Sequence, residues 1–214
     1  MTTTELPSAT VRTRVAIPLR FPDGYRVSAE VATFHGLVDG AEHVAVILGD
    51  PTAAATPLVR LHSECLTGDV FGSARCDCGP QLREAVERIA TTGGVLLYLR
   101  QEGRGIGLYN KLDAYALQDL GLDTYEANTA LGLPEDARDY TAAAQMLVAL
   151  GITEANLLTN NPDKAEQLRG HGISVVRTVR TRVHATGSNL RYLQAKVERT
   201  HHTISLAPVP SLAG

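Results

Sequence analysis

Residues 95–99 read VLLYL and offer no polar face to water. A strand built from them must be covered on both sides, as inside a sheet flanked by helices. The chain that follows Pro80 can supply such cover. Leu82, Ala85, Val86 and Ile89 recur at helical spacing, with Pro80 in the first turn and Gly93-Gly94 as the stop. Further helices are predicted over about 109–120, ended by Gly121, and about 142–150, ended by Gly151. Residues 156–158 read as a short strand. Asn161 and Pro162 then supply the cap and first turn of a helix to Arg169, and residues 173–179 form the next strand.

Before Pro80 the texture differs. Residues 11–17 alternate at period two, and residues 24–34 and 43–49 read as strands separated by turns at 22–24 and 39–40. The expected fold class is α/β: a mixed β-sheet flanked by helices, with a β-rich N-terminal part followed by alternating helix and strand. Residues 1–10 read as a flexible arm, 11–200 as the folded domain and 201–214 as a loose tail. A helical pattern recurs over 190–199.

Charge narrows the function. Twenty basic residues against twenty-three acidic ones leave a net −3, which argues against a dedicated nucleic-acid binder. No apolar stretch approaches the ~20 residues of a membrane span. The first residues lack a basic and then apolar signal pattern, so the expected location is cytoplasmic.

Three cysteines stand at 65, 76 and 78. An odd, tight cluster points to metal binding or catalysis, not to a disulfide framework. Three thiolates suit Zn²⁺ and leave one tetrahedral position. Water there makes the site catalytic. A protein ligand makes it structural, and His62 is the candidate for that role. Thiolate-rich zinc can still serve hydration of a nucleobase carbon.

Residues 100–107, RQEGRGIG, lie between the buried strand and a helix. Their glycines let backbone N–H groups approach an anion, and Arg104 adds a fork suited to phosphate; a tight turn with a surface arginine is the plainer alternative. The chain has seventeen arginines but only three lysines, at 111, 164 and 196. Lys164 sits in a helix first turn, where a cation opposes the helix dipole, so it is either a phosphate ligand or a solvated surface lysine. Asp136 and Arg138 form a loop cluster that usually amounts to a cap and a surface ion pair.

Together the motifs RLHSECLTGD (60–69), RCDCG (75–79), RQEGRGIG (100–107), NK (110–111), AYALQD (114–119), DTYEAN (123–128), RDY (138–140) and LLTNNP (157–162) closely resemble the GTP cyclohydrolase II family of riboflavin biosynthesis. The resemblance covers about residues 11–200 and fades over 180–189. It implies that Cys65, Cys76 and Cys78 hold a catalytic zinc. It implies GTP contacts from Arg60, Leu61, His62, Ser63, Glu64, Gln81, Glu102, Gly103, Arg104, Thr124, Thr159 and Lys164. Asp136 resembles the family's proton acceptor and Arg138 the residue proposed as nucleophile toward the α-phosphorus. Tyr115 is similar to the tyrosine placed at the base; a core aromatic is its plainer reading.

The implied chemistry is zinc-assisted hydration of guanine C8, ring opening and loss of C8 as formate. Separately the α–β phosphoanhydride breaks and pyrophosphate leaves, with Mg²⁺ neutralising the triphosphate. The implied product is 2,5-diamino-6-ribosylamino-4(3H)-pyrimidinone 5′-phosphate. A guanidinium stays protonated and is a poor nucleophile, so stabilising phosphoryl charge is an equally good role for Arg138. An alternative is a paralogue that opens the ring but keeps the formyl group; formyl-retaining relatives replace the tyrosine that stands here as Tyr115. Some fused relatives carry a dihydroxybutanone phosphate synthase ahead of this domain. With about ten residues before the first strand here, that activity is expected to be absent. The family further implies a homodimer.

Overall fold

The computed structural model describes residues 6–51, 56–134, 136–189 and 193–194. Its strands are β1 (Thr10–Arg20), β2 (Arg26–His35), β3 (Val44–Leu48), β4 (Leu58–Ser63), β5 (Gly94–Leu99), β6 (Glu154–Leu158) and β7 (Ser174–Val179). They form one sheet in the order β1-β2-β3-β5-β4-β6-β7. The β1–β2, β2–β3 and β3–β5 pairings are antiparallel. The β5–β4, β4–β6 and β6–β7 pairings are parallel. The expected mixed α/β sheet is thus present, antiparallel in its N-terminal half and parallel beyond.

The helices are α1 (Leu66–Asp69), α2 (Cys78–Thr92), α3 (Leu108–Asp119), α4 (Thr124–Ala130), α5 (Thr141–Ala149) and α6 (Pro162–Gly170), with a 3-10 turn at Glu102–Gly105. β5 is covered on both faces, as its composition requires. Leu96 packs with Leu48, Leu58 and Leu158 against Ala85, Val86 and Ile89 of α2. Val95, Leu97 and Leu99 face the other way, with Val59, Leu61 and Leu157, onto Ala143, Met146 and Leu147 of α5 and Leu168 of α6. α6 begins as its sequence predicts: the Asn161 side chain accepts from Asp163 N, and Pro162 occupies the first turn.

Three elements lie outside the sequence expectations: β4, α1 and α4. The span 190–199 falls outside the described residues except for 193 and 194. At the other end, Leu6 packs against the core and the Pro7 carbonyl accepts a 2.8 Å hydrogen bond from Gln145. Among the described residues no helix is long and apolar enough to cross a membrane.

The connections place a crevice. The chain leaves β4 for β5 on one side and later returns to β6 on the other. Loops at the carboxyl ends of the parallel strands therefore diverge around β4, which is where open α/β sheets bind their ligands.

Candidate active site

A cleft of about 1110 Å³, its open mouth included, lies at that crevice. β4 runs directly into its first components. Arg60 and His62 point to the α2 side of the sheet while Leu61, between them, points to the opposite core. Leu61 therefore reaches the site only through its backbone, and its carbonyl accepts a 2.7 Å hydrogen bond from Lys164 Nζ.

After β4 comes Cys65, then the short α1, then the turn that opens α2 at Cys78. The three sulfurs lie within 4.8 Å of one another, and those of Cys65 and Cys76 are 3.7 Å apart. Two glycines permit this closeness. A Cβ on Gly68 would sit 2.6 Å from Cys76 Sγ and 3.1 Å from Cys65 Sγ; one on Gly79 would sit 2.5 Å from the Gly68 carbonyl oxygen. The thiols of Cys76 and Cys78 hydrogen-bond to the Cys65 sulfur and hold its pKa far below the usual thiol range, with burial opposing and the Lys111 ammonium assisting. The same bond pushes Cys76 up to about 11. The soft donor set, its spacing and the glycine-lined cradle fit a divalent thiophilic metal, whose charge would take the place of those shared protons.

His62 does not join the three sulfurs. Its Nε2 is 3.1 Å from both carboxylate oxygens of Asp69, which also accepts from Tyr98 OH at 2.9 Å and from Cys65 N at 3.0 Å. His62 lies 18° from parallel with the Tyr98 ring, and its Nδ1 is buried without a hydrogen-bond partner. Among the described residues no histidine, aspartate or glutamate joins the three sulfurs within their 4.8 Å span.

Cations dominate the rest of the lining. Arg60, Arg104, Lys111, Arg138 and Lys164 face Glu64 and Glu102 across the cleft. In a chain of net charge −3 this concentrates positive potential at one place. Arg60 is almost fully buried; it donates to Leu158 O at 3.0 Å and to Gln81 Oε1 at 2.8 Å, while its Nε has no partner. Lys164 is 5% exposed, which removes the solvated-surface alternative. Thr159, also deeply buried, exchanges hydrogen bonds with the Asn161 backbone. Ser63 lies 3.5 Å from Gln101 Oε1, and Glu64 pairs with Arg100 at 2.8 Å.

The glycine-rich loop adopts a left-handed turn at Gly103 (φ 62°) and Arg104 (φ 60°, ψ 35°). Arg104 is the sole non-glycine residue with positive φ among those described. That backbone costs about 1 kcal/mol for a residue with a Cβ. The turn is pinned by Ala137 N donating to Arg104 O at 3.0 Å, and Gly105 leaves room for Ala137.

Tyr115, on α3, lies beneath Arg75, whose guanidinium is 4.7 Å from its ring and ion-paired with Asp119. Burial pushes the Tyr115 hydroxyl up to about 12, so it stays protonated. Arg138 reaches the lining; Asp136 does not, and instead grips Arg138 through Nε at 2.8 Å and through Nη2. Burial works against the Asp136 carboxylate, but Arg138 outweighs it and holds the pKa below the ordinary value. The side chain of Thr124 lies outside what is described.

Sequence reasoning missed Lys111, Asn128, Asn160 and Thr181 in the lining. For Lys111 the signal was its rarity as one of three lysines. Thr181 comes from the stretch where the family resemblance fades, yet its hydroxyl accepts from Asn160 at 2.7 Å.

Thiols and cations gathered at the carboxyl ends of parallel strands mark an α/β enzyme that handles an anionic small molecule. Within that class, the family model for GTP cyclohydrolase II matches residues 13–180, and the chain belongs to that family. A GTP cyclohydrolase-2 of Vibrio cholerae is 56% identical over 181 residues, spanning 84% of this chain and 91% of the relative. One from Psychromonas ingrahamii is 50% identical over 194 residues, spanning 90% and 97%. The riboflavin biosynthesis protein RibBA of Bacillus cytotoxicus is 52% identical over 183 residues, which are 83% of this chain but 46% of that longer protein.

Proposed function

We propose that this protein hydrolyses GTP, opening the imidazole ring at C8 and releasing formate and pyrophosphate to leave the diaminopyrimidinone ribosyl phosphate. One observation carries the reading: a trio of thiols and five cationic side chains share a single cleft. The thiols suit the reacting ring, and Arg60, Arg104, Arg138 and Lys164 suit the triphosphate, while Lys111 stays with the thiols. Cys65, Cys76 and Cys78 would hold zinc, which would supply Lewis acidity for attack of water on an electrophilic carbon.

The chain's own residues do the rest. Arg60, Arg104 and Lys164 bind the phosphates together with Mg²⁺, Thr159 and Thr124. Glu102 and Gln81 hold their neighbours: Glu102 accepts from Leu66 N at 2.7 Å and Gly103 N at 2.8 Å, and Gln81 steadies Arg60. Asp136 orients Arg138, which stabilises charge on the phosphoryl group being transferred. His62, Ser63 and Glu64 contact the nucleoside, and Tyr115 lies at the base. The presence of Tyr115 in the cleft lining favours formate release, because formyl-retaining relatives replace this tyrosine. The functional protein is a homodimer.

Incubation with GTP and Mg²⁺, with formate, pyrophosphate and product mass measured on one sample, tests the reading. Equimolar formate and pyrophosphate are expected. A product heavier by one formyl carbonyl would establish the alternative, and an unchanged nucleotide would reject both.

Arg104 permits a test that separates strain from function. Glycine adopts the left-handed conformation freely, so Arg104→Gly is expected to melt at the same temperature or higher. Loss of the guanidinium fork should raise KM for GTP by about tenfold, equivalent to roughly 1.4 kcal/mol. A variant with lower Tm and unchanged KM would make Arg104 a structural residue.

A further inference from the structure

We propose that Lys111 is a positioning residue for the metal centre: its ammonium, itself held by Glu102, fixes the Cys65 sulfur by a hydrogen bond. This rests on the metal reading above.

Lys111 lies in the first turn of α3 and is 8% exposed. Its Nζ has three partners: Glu102 Oε1 at 2.8 Å, Thr67 Oγ1 at 3.1 Å and Cys65 Sγ at 3.2 Å. An ammonium has three N–H donors, and all three are committed. Unlike a lysine waiting for phosphate, this one is already spent on the protein. Glu102 is fixed in turn by the backbone N–H groups of Leu66 and Gly103, so the ammonium cannot swing toward solvent.

Three thiolates around a divalent ion carry one net negative charge, and a buried charge needs hydrogen-bond partners. The Lys111 ammonium supplies one to the Cys65 sulfur at 3.2 Å and fixes the direction in which that sulfur points. The N–H···S bond also draws electron density from Cys65, leaving the bound ion a stronger Lewis acid.

Lys111→Met removes the ammonium but strands the Glu102 carboxylate. The double variant Lys111→Met/Glu102→Gln removes both charges and keeps the test open if the single variant does not fold. Zinc affinity is measured by competition with a chromophoric chelator, and the Co²⁺-substituted protein supplies a spectrum. Zinc binding is expected to weaken by about 10–100-fold, as for other partners of metal ligands. The thiolate-to-cobalt band should move to longer wavelength, because the sulfur loses a positively charged donor. Melting of the chelator-treated double variant at the wild-type temperature would show that the fold is intact. Unchanged zinc affinity and an unmoved cobalt band, with a raised KM for GTP, would overturn the proposal and make Lys111 a substrate contact. If wild-type protein takes up neither ion at these cysteines, the metal reading fails first and this inference falls with it.

Discussion

Cys76→Ser is expected to lose both bound zinc and formate release. Cys76 is 5% exposed, and its sulfur lies 3.7 Å from that of Cys65, so it sits inside the cluster. A serine hydroxyl is nearly the same size, but it is a hard donor that stays protonated at neutral pH. Two thiolates would then remain for the ion. The loss should exceed the roughly 10–100-fold typical of an outer partner. Folding should survive, because the substitution preserves volume and buries a hydroxyl where a thiol hydrogen-bonded before. Zinc content, formate yield and the melting temperature of chelator-treated protein are the three measurements. Full formate release from zinc-free Cys76→Ser would remove the metal from the mechanism altogether.

Arg138→Ala carries the second large effect and separates the two halves of the reaction. The guanidinium reaches the cleft from one side while Asp136 braces it from the other. Its removal takes a positive charge from the cleft lining and deprives Asp136 of the guanidinium it grips. Pyrophosphate release should fall by about 10²–10³-fold, the usual cost of losing a donor that acts in the transition state. Formate release should fall far less if ring opening depends on the thiol side. Arg138→Lys should not restore activity, since a point charge lacks the fork that Asp136 grips. Equal loss of both products would place Arg138 in substrate binding instead. The ion pair has a pH signature too. The folded-state pKa of Asp136 is depressed, so its contribution to stability is present above the ordinary carboxylate pKa. It is lost as pH falls through the lower folded value.

Much of this architecture was legible in the sequence where one force dominated. The apolar run at 95–99 could only be a strand covered twice, and α2 followed from its apolar stripe between Pro80 and Gly93. β4 was not legible, because Arg60 and His62 interrupt its apolar residues and read as surface. Their burial becomes understandable only beside Leu158 O, Gln81 and Asp69, which come from other parts of the chain. Motif adjacency also misleads about direction: Leu61 sits between two cleft residues, and the pleat turns its side chain into the opposite core. α4 carries no periodic apolar signal to reveal it. Lys111 could be counted but not located, since its partners Thr67 and Glu102 meet it only when α1 packs under the 3-10 turn.

The three sulfurs come from residues 65–78 alone, whereas the cations of the cleft are drawn from positions as distant as Arg60 and Lys164. Damage around Lys164 would therefore ruin substrate capture without disturbing the local loop whose thiols suit the ion. A preparation's zinc stoichiometry is accordingly no gauge of how many molecules in it are competent to turn over.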